Sequence, residues 1–436
     1  MSAPLEQSDK PSSGFSWRSD RAFVFVLACA ALLGIVYNFV ILPGFGPDEP
    51  RHFAYVKLLF EERRFPFLQA DGSEYRGAHS LHPPLYYFVL LPFYALLQML
   101  PEAATYHGLR FVSCAMGLLS LIFFYETILH IASRNVARLS AAILALIPIF
   151  GMTSGIVNND SASLLAVSVF LWLLCVRFAD NVSPRAALWL GVALGLGMLC
   201  KATVAICAGA ALVVYLWSRH GLRSGVFWRS LVVSLSIALV IGAPWYGRNF
   251  ALYGKFSPIE SGYSNPALPS PSSGALVMMM HDNFPPLFAM AHWMEFYSLW
   301  SQKDWFPESV RSFIYALLAL LTVAAAIGNT LAWKRREPET VQSRSARRAI
   351  YGGFALLWAA CLSMALFVHW GWAEGGRYLL AGVGAVALFL ALGWRGLIGE
   401  NKMPAALKSW IGFALLLNAI CIYWLLAYLN PTFGPK

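Results

Sequence analysis

The fold of this chain is decided by an apolar run near its start: residues 22–42 read AFVFVLACAALLGIVYNFVIL, without a charged side chain. An α-helix of about 20 apolar residues is long enough to cross the hydrocarbon layer of a membrane. Lys10, Arg18 and Arg21 precede the run, which is too long for the apolar part of a signal peptide. The sequence therefore predicts a retained membrane anchor that begins in the cytoplasm.

Apolar segments recur along the rest of the chain. Charged residues make up only 12% of it, whereas soluble proteins average about 25%. Ten more segments have the composition of spans: 108–132, 137–157, 161–178, 186–200, 202–217, 228–246, 311–333, 349–369, 378–396 and 409–430. The predicted fold is an all-α polytopic membrane protein with about 11 transmembrane helices. A cytoplasmic tail at 1–21 and a short outer tail at 431–436 would flank a single transmembrane domain at 22–430.

The segment 85–100 is apolar, but it is short and carries Pro92. If it does not cross the membrane, the cytoplasmic face holds 19 Lys and Arg against 7 Asp and Glu, and the outer face holds 13 against 14. Because cytoplasmic loops are enriched in Lys and Arg, we predict that 85–100 lies flat in the interface or re-enters the membrane without crossing it. This topology implies two long outer loops, 43–107 and 247–310. Topology then accounts for the net charge of +10, and no nucleic acid partner is predicted.

The first outer loop contains a pattern typical of a helix in the membrane surface. Residues 51–64 place Phe53, Val56 and Phe60 on one helical face, with charged residues elsewhere. This predicts an amphipathic interfacial helix.

Two adjacent carboxylates begin the same loop. Asp48 and Glu49 lie between Pro47 and Pro50, and His52 follows. Proline fixes φ and removes a donor, so the pair lies in a positioned turn at the membrane boundary. The alternative is a pair of solvated acids that ends a helix.

Three further polar positions lie at predicted outer ends of spans. A Pro-Pro pair follows His82, the turn between two spans contains Asn159 and Asp160, and Lys201 alone separates two short apolar segments. An imidazole can bind phosphate, a metal or a carboxylate, and a lysine within a bundle usually faces a cavity or a partner. The alternatives are helix capping for His82 and Asp160, and for Lys201 a side chain that reaches up to the interface.

Two arginines are predicted at the outer boundary beside aromatic residues, Arg248 near Trp245 and Arg377 before Tyr378. A guanidinium binds phosphate as a planar fork. An aromatic belt at the membrane interface explains the Trp and Tyr equally well.

These motifs together resemble the GT-C superfamily of polyprenyl-phosphate-dependent membrane glycosyltransferases. The resemblance rests on Asp48-Glu49, His82-Pro83-Pro84, Asn159-Asp160, Lys201, and Trp245 with Arg248-Asn249. Protein O-mannosyltransferases have a similar H-P-P-L stretch, and lipid A aminoarabinose transferases have E-K-P-P at that place. The combination of Asp48-Glu49-Pro50-x-His52 with Gly376-Arg377-Tyr378-Leu379 resembles a bacterial branch of the superfamily.

The resemblance implies an inverting glycosyltransferase of the bacterial inner membrane with its site on the outer, periplasmic side. The donor would be a polyprenyl-phosphate sugar, and the acceptor an envelope glycan, lipid or protein. Asp48 would accept the acceptor proton, and Glu49 and His82 would shape its field. The cofactor stays open, with a divalent metal near these three residues as one alternative. Seven residues would bind substrate: His52, Asn159, Asp160, Lys201, Arg248, Arg377 and Tyr378.

Two other classes of function remain open from the sequence. A lipid or sugar transporter or flippase would carry charges near the middle of the bundle, where Glu126 is the plausible one. A non-catalytic partner in envelope assembly would need the helices but not the acidic pair.

Overall fold

The structure is a computed structural model that describes residues 16–179, 183–256, 308–336, 339–367 and 378–429. These residues form fourteen α-helices and no β-strand, which confirms the all-α fold class. The helices are α1 (Arg21–Val40), α2 (Glu49–Glu61), α3 (Leu85–Leu97), α4 (Glu102–Ile131), α5 (Arg134–Leu146), α6 (Pro148–Ser154), α7 (Asp160–Trp172), α8 (Pro184–Cys200), α9 (Ala202–His220), α10 (Gly225–Tyr253), α11 (Glu308–Lys334), α12 (Val341–Phe367), α13 (Gly384–Ile398) and α14 (Met403–Trp424).

Within the described residues, seven helical segments are long and apolar enough to cross a membrane: Arg21–Val40, Glu102–Ile131, Asp160–Arg177, Ala202–His220, Gly225–Tyr253, Ala316–Lys334 and Glu400–Ala427. The pair α5 and α6, bent by 62°, makes an eighth if it is one span. The predicted count of 11 is not confirmed: α8 and α13 are apolar but shorter than a span, and α12 is not among the candidates.

Polar bonds fix the centre of the bundle. The side-chain oxygen of Asn418 on α14 accepts a hydrogen bond from the Tyr37 hydroxyl on α1 at 2.9 Å. Its amide nitrogen donates to the carbonyl oxygen of Leu146 at 2.8 Å, where α5 bends into α6. At the other end of α1, Phe23 stacks on Tyr125 of α4 with ring centroids 4.0 Å apart. These contacts hold α1 against α4 and α14, and α14 against the end of α5.

The short helix α8 packs closely against α10 through glycine. A β-carbon on Gly191 would lie 2.6 Å from the carbonyl oxygen of Ser234, and one on Gly195 would lie 2.8 Å from the β-carbon of Ile241. Small residues let membrane helices approach in this way. Lys201 then ends α8 in an extended conformation, φ −163° and ψ 143°, and α9 begins at the next residue.

The segment 43–107, named the first outer loop after its predicted position, forms a helical layer of its own. The predicted amphipathic helix is α2, which begins two residues earlier than expected and ends at Glu61. Of the three apolar residues predicted on one face, Phe53 and Val56 are buried against other parts of the protein and Phe60 is half-buried. Tyr55 stacks on Tyr87 of α3 with ring centroids 3.6 Å apart. The 13 residues of α3 rise only about 20 Å at 1.5 Å per residue, less than the ~30 Å hydrocarbon layer. That length supports an interfacial position for the segment.

Part of the second predicted outer loop, 247–310, is helical: α10 continues to Tyr253. The loop from 257 to 307 lies outside the described residues, as do Arg377 and the outer tail.

Candidate functional site

A buried ion pair joins the first outer loop to α4. The side chains of Glu49 and Arg110 are both 0% exposed, and Arg110 Nε and Nη2 donate to the two carboxylate oxygens at 2.8 and 2.7 Å. The backbone N–H groups of Gly44, Gly46 and Val157 donate to the same carboxylate at 3.1, 3.2 and 2.8 Å. Five donors therefore surround Glu49, which anchors the turn.

Arg110 also binds the end of α1. It donates to the carbonyl oxygens of Asn38, Ile41 and Leu42 at 2.5, 2.7 and 2.9 Å. Carbonyl groups at a helix end lack intrahelical partners, and a buried guanidinium needs acceptors. The arrangement satisfies both, so the first outer loop leaves the bundle at a fixed position.

Asp48 lies beside this anchor in an unusual backbone conformation. Its φ of 58° and ψ of 4° are left-handed, which is unfavourable for a residue with a β-carbon. Its carbonyl oxygen accepts hydrogen bonds from the N–H groups of Arg51 and His52 at 3.0 and 3.1 Å, whereas its carboxylate does not cap α2. Asp48 is half-buried, whereas its neighbour Glu49 is fully buried in the anchor.

Three histidines cluster next to α2. The rings of His79 and His82 stack in parallel with centroids 4.1 Å apart, and the ring of His52 lies 4.8 and 5.5 Å from them. One ligand nitrogen from each lies within 4.8 Å of the other two. Within the described ranges, this trio is the group of side chains close enough to share a metal ion.

Oxygen atoms orient two of these rings. The Nδ1 of His52 lies 2.8 Å from the Tyr87 hydroxyl, and the Nδ1 of His79 lies 3.4 Å from a carboxylate oxygen of Glu74. When Nδ1 donates to an oxygen, the Nε2 lone pair is left for a ligand. The Nε2 of His79 is buried without a hydrogen-bond partner, which a bound metal would satisfy.

The chain around His82 is held from two sides. The Tyr55 hydroxyl donates to its carbonyl oxygen at 3.3 Å, and burial raises the pKa of Tyr55, so this hydroxyl stays a neutral donor. The carbonyl oxygen of Leu81 accepts from Trp245 Nε1 at 3.1 Å and from Asn249 Nδ2 at 3.0 Å. The cap of α3 is Pro84, so the capping interpretation of His82 is wrong.

Asn159, Asp160 and Lys201 extend the site to the break between α8 and α9. Asn159 Nδ2 lies 3.3 Å from His82 Nδ1. Lys201 pairs with Asp160, their side chains being 9% and 2% exposed, and its Nζ lies 5.2 Å from the ring centroid of Tyr378. The alternatives for these residues are wrong, because Asn159 rather than Asp160 is the N-cap of α7 and Lys201 is buried.

Arg248 faces the first outer loop from α10. Its guanidinium donates to the carbonyl oxygen of Pro66 at 3.0 Å and to Asn249 Oδ1 at 2.9 Å, and it lies 4.7 Å from the Trp245 ring centroid. Trp245 is only 6% exposed, so it is part of the site and not an interfacial anchor.

Part of this site lies in a region that matches a known family. Residues 81–246 match the family described as dolichyl-phosphate-mannose-protein mannosyltransferase. The chain is also similar in fold to the oligosaccharyltransferase of Archaeoglobus fulgidus in its apo form, with a TM-score of 0.52 and 13% identity over 97% of this chain. The predicted resemblance to the GT-C superfamily is confirmed.

Other GT-C structures match as well. The Archaeoglobus fulgidus oligosaccharyltransferase with zinc and sulfate matches at a TM-score of 0.50 and 13% identity, covering 92% of this chain and 52% of that one. ArnT from Cupriavidus metallidurans in the apo state matches at 0.42 and 17% identity, covering 87% and 78%. The chain thus spans little more than half of the length of the oligosaccharyltransferase, 57% of the apo form. No curated protein matches the sequence.

The GT-C fold brings together residues that are distant in sequence. Contacts connect His52, His82, Asn159, Asp160, Lys201 and Tyr378, and Asp48 lies one helical turn before His52. Arg248 borders the site through Asn249, and the place of Arg377 is not described.

Sequence reasoning missed three residues that the fold makes central: Arg110, His79 and Tyr87. A charge within an apolar segment was a signal for Arg110, and the three-residue spacing from His82 was one for His79. Nothing local distinguishes Tyr87 from its neighbours.

Proposed function

We propose that this chain transfers a sugar, with inversion, from a polyprenyl-phosphate-linked donor to an envelope acceptor on the outer face of the bacterial inner membrane. The observation that carries the proposal is a half-buried carboxylate, Asp48, one helical turn before His52. From His52 a series of contacts leads through His82 and Asn159 to the buried pair of Asp160 and Lys201. Sugar transfer from a lipid phosphate needs a proton acceptor on one side and positive charge on the other. A structure of the Archaeoglobus fulgidus oligosaccharyltransferase in complex with dolichol-phosphate supports a donor of this class.

The proposed reaction is a single displacement at the anomeric carbon. The acceptor oxygen or nitrogen forms a bond to that carbon, and the bond from the carbon to the phosphate oxygen breaks with its electron pair. The acceptor proton goes to the carboxylate of Asp48, and polyprenyl phosphate leaves on the opposite face. A positioned base of this kind contributes roughly 10²–10⁴ in rate.

Negative charge develops on the departing phosphate, and the cations of the site would stabilise it. Lys201 is buried and forms an ion pair with Asp160. The guanidinium of Arg248 donates hydrogen bonds to two oxygens. Because a guanidinium has five N–H donors, the others are left for a phosphate. Arg377 is proposed for the same role on its sequence motif alone.

Removal of the Lys201 charge is expected to weaken donor binding by at least ~10-fold, since a charge-assisted hydrogen bond is worth about 1.5–3 kcal/mol. Because Lys201→Ala alone would leave Asp160 buried and unpaired, the variant to measure is Lys201→Ala with Asp160→Asn. The measurement is affinity for a polyprenyl-phosphate sugar in nanodiscs. Lys255→Ala is the control, since it removes one charge after α10 without entering the site. Equal affinity in the double variant and the wild type would remove Lys201 from the donor site.

The histidine trio fits a divalent metal of the zinc type. Three imidazoles suit Zn²⁺, Tyr87 and Glu74 orient two of the rings, and the buried Nε2 of His79 lacks a partner. Bringing three nitrogens onto one ion requires the stacked rings of His79 and His82 to rotate apart. We propose that His52, His79 and His82 hold the metal, which would supply Lewis acidity toward phosphate oxygens.

If this metal is present, His79→Ala should lower the zinc retained by the purified protein by at least ~10-fold, since even outer-sphere changes cost 10–100-fold in affinity. The measurement is metal content per protein by mass spectrometry, which does not depend on activity. His107→Ala is the control, because His107 bonds Asn38 outside the trio. An unchanged zinc content in His79→Ala would contradict the trio as a metal site.

The function itself is tested with the purified protein and a set of polyprenyl-phosphate sugars. Release of polyprenyl phosphate with transfer to an acceptor is the expected result. Movement of the intact donor across a vesicle membrane without release would indicate a flippase instead.

A further inference from the structure

A large cavity lies at the end of the bundle opposite the candidate site. Arg110 marks the site near the start of α4, whereas Ile131 at the end of the same helix lines this cavity. At 1.5 Å per residue the two positions are about 30 Å apart. The cavity has a volume of about 1320 Å³ and lies between α11, α12 and α13. It therefore has no part in the proposed transfer site.

One rim of the cavity is strongly cationic. Its charged residues are Arg336, Arg344, Arg347, Arg348, Arg395 and Glu339. Glu339 accepts a hydrogen bond from Arg347 at 2.7 Å and lies 3.6 Å from Arg344. One carboxylate thus pairs with two arginines, and the five arginines and one glutamate give the rim a formal charge of +4.

The rest of the lining is largely apolar. Trp333 of α11 is 78% exposed, and Leu388, Phe389 and Leu392 follow along α13. A free inorganic anion would need only the arginines. A ligand with an anionic head and a hydrocarbon tail matches both parts of the cavity, because the head would face the rim and the tail would pack along the apolar wall.

The rim coincides with the most basic loops of the chain. Residues 334–348 carry six Lys and Arg, and 395–408 carry three more. The positive-inside rule places such loops in the cytoplasm, where the membrane leaflet is rich in anionic lipids.

We propose that this cavity binds an anionic phospholipid of the cytoplasmic leaflet, with its phosphate at Arg336, Arg344 and Arg348. A basic pocket between transmembrane helices on the cytoplasmic side is the recognised setting for such head groups. The site is separate from the one that would take the polyprenyl-phosphate donor.

The test uses the full chain in nanodiscs that contain phosphatidylglycerol, with phosphatidylcholine as the neutral comparison. The measurement is native mass spectrometry of the lipid that stays bound to the protein when it is released from the nanodisc. The wild type should retain phosphatidylglycerol at least ~10-fold over phosphatidylcholine. Arg344→Ala with Arg348→Ala should lose this preference by at least ~10-fold, since each basic side chain near an anionic surface is worth a factor of about five. Arg223→Ala with Arg229→Ala is the control, because both arginines are exposed, lie just before and within the first turns of α10, and do not line the cavity.

Three results would overturn the proposal. The first is equal retention of the two lipids by the wild type. The second is an equal loss in the control, which would mean that net charge rather than the cavity attracts the lipid. The third is displacement of the lipid by millimolar inorganic phosphate, which would make the cavity a site for free anions.

Discussion

Replacing Arg110 by leucine is expected to lower the free energy of unfolding by about 3–5 kcal/mol, because the Glu49 carboxylate then stays buried without its partner. The three carbonyl oxygens at the end of α1 lose their donor in the same variant. The measurement is thermal unfolding in detergent or nanodiscs. The effect should be visible without any substrate.

Two variants make this result specific. Arg110→Leu with Glu49→Leu removes both charges and should recover part of the lost stability, since a buried ion pair can be replaced by apolar side chains at little cost. Arg134→Leu removes an exposed arginine at the start of α5 and should change stability by no more than about 0.5 kcal/mol. An Arg110→Leu protein as stable as the wild type would contradict the anchor.

The pair Asp48-Glu49 shows what the sequence could and could not predict. The prolines around it predict a positioned turn, and the structure has a turn there. The separate roles of the two carboxylates depend on Arg110, which is 61 residues away from Glu49 in sequence. Only the packing of α4 against the first outer loop distinguishes the fully buried, anchored Glu49 from the half-buried Asp48.

The sequence did not predict the histidine cluster or the number of spans, and the two reasons are related. His52 meets His79 and His82 only because α2 folds back over the loop before α3, and hydropathy carries no information on that contact. Hydropathy also identifies apolar segments, but it does not show where each helix ends. The helix α8, for example, ends at Lys201, whose side chain pairs with Asp160. Tertiary contacts decide both features.

The second large effect concerns Asp48, the proposed base. Asp48→Asn keeps the size of the side chain but cannot accept the acceptor proton, so transfer should fall by at least ~10²-fold. Donor affinity should hardly change, because the proposed phosphate contacts lie on Lys201 and Arg248. Folding should survive, since Asn also adopts the left-handed backbone conformation of Asp48 and the anchor is on Glu49.

A matched substitution in the same loop controls for charge. Asp71 is exposed and bonds Ser73 within its own turn, far in the chain from the anchor. Asp71→Asn removes the same charge and should leave transfer within about twofold of the wild type, as surface changes usually do.

The most direct measurement is the rate of sugar transfer from a saturating polyprenyl-phosphate donor by purified wild-type and Asp48→Asn proteins of equal thermal stability and donor affinity. The account predicts that the Asp48→Asn rate is lower by at least ~10²-fold while Asp71→Asn is unaffected. A well-folded Asp48→Asn protein that transfers at the wild-type rate would contradict the central claim that Asp48 accepts the proton.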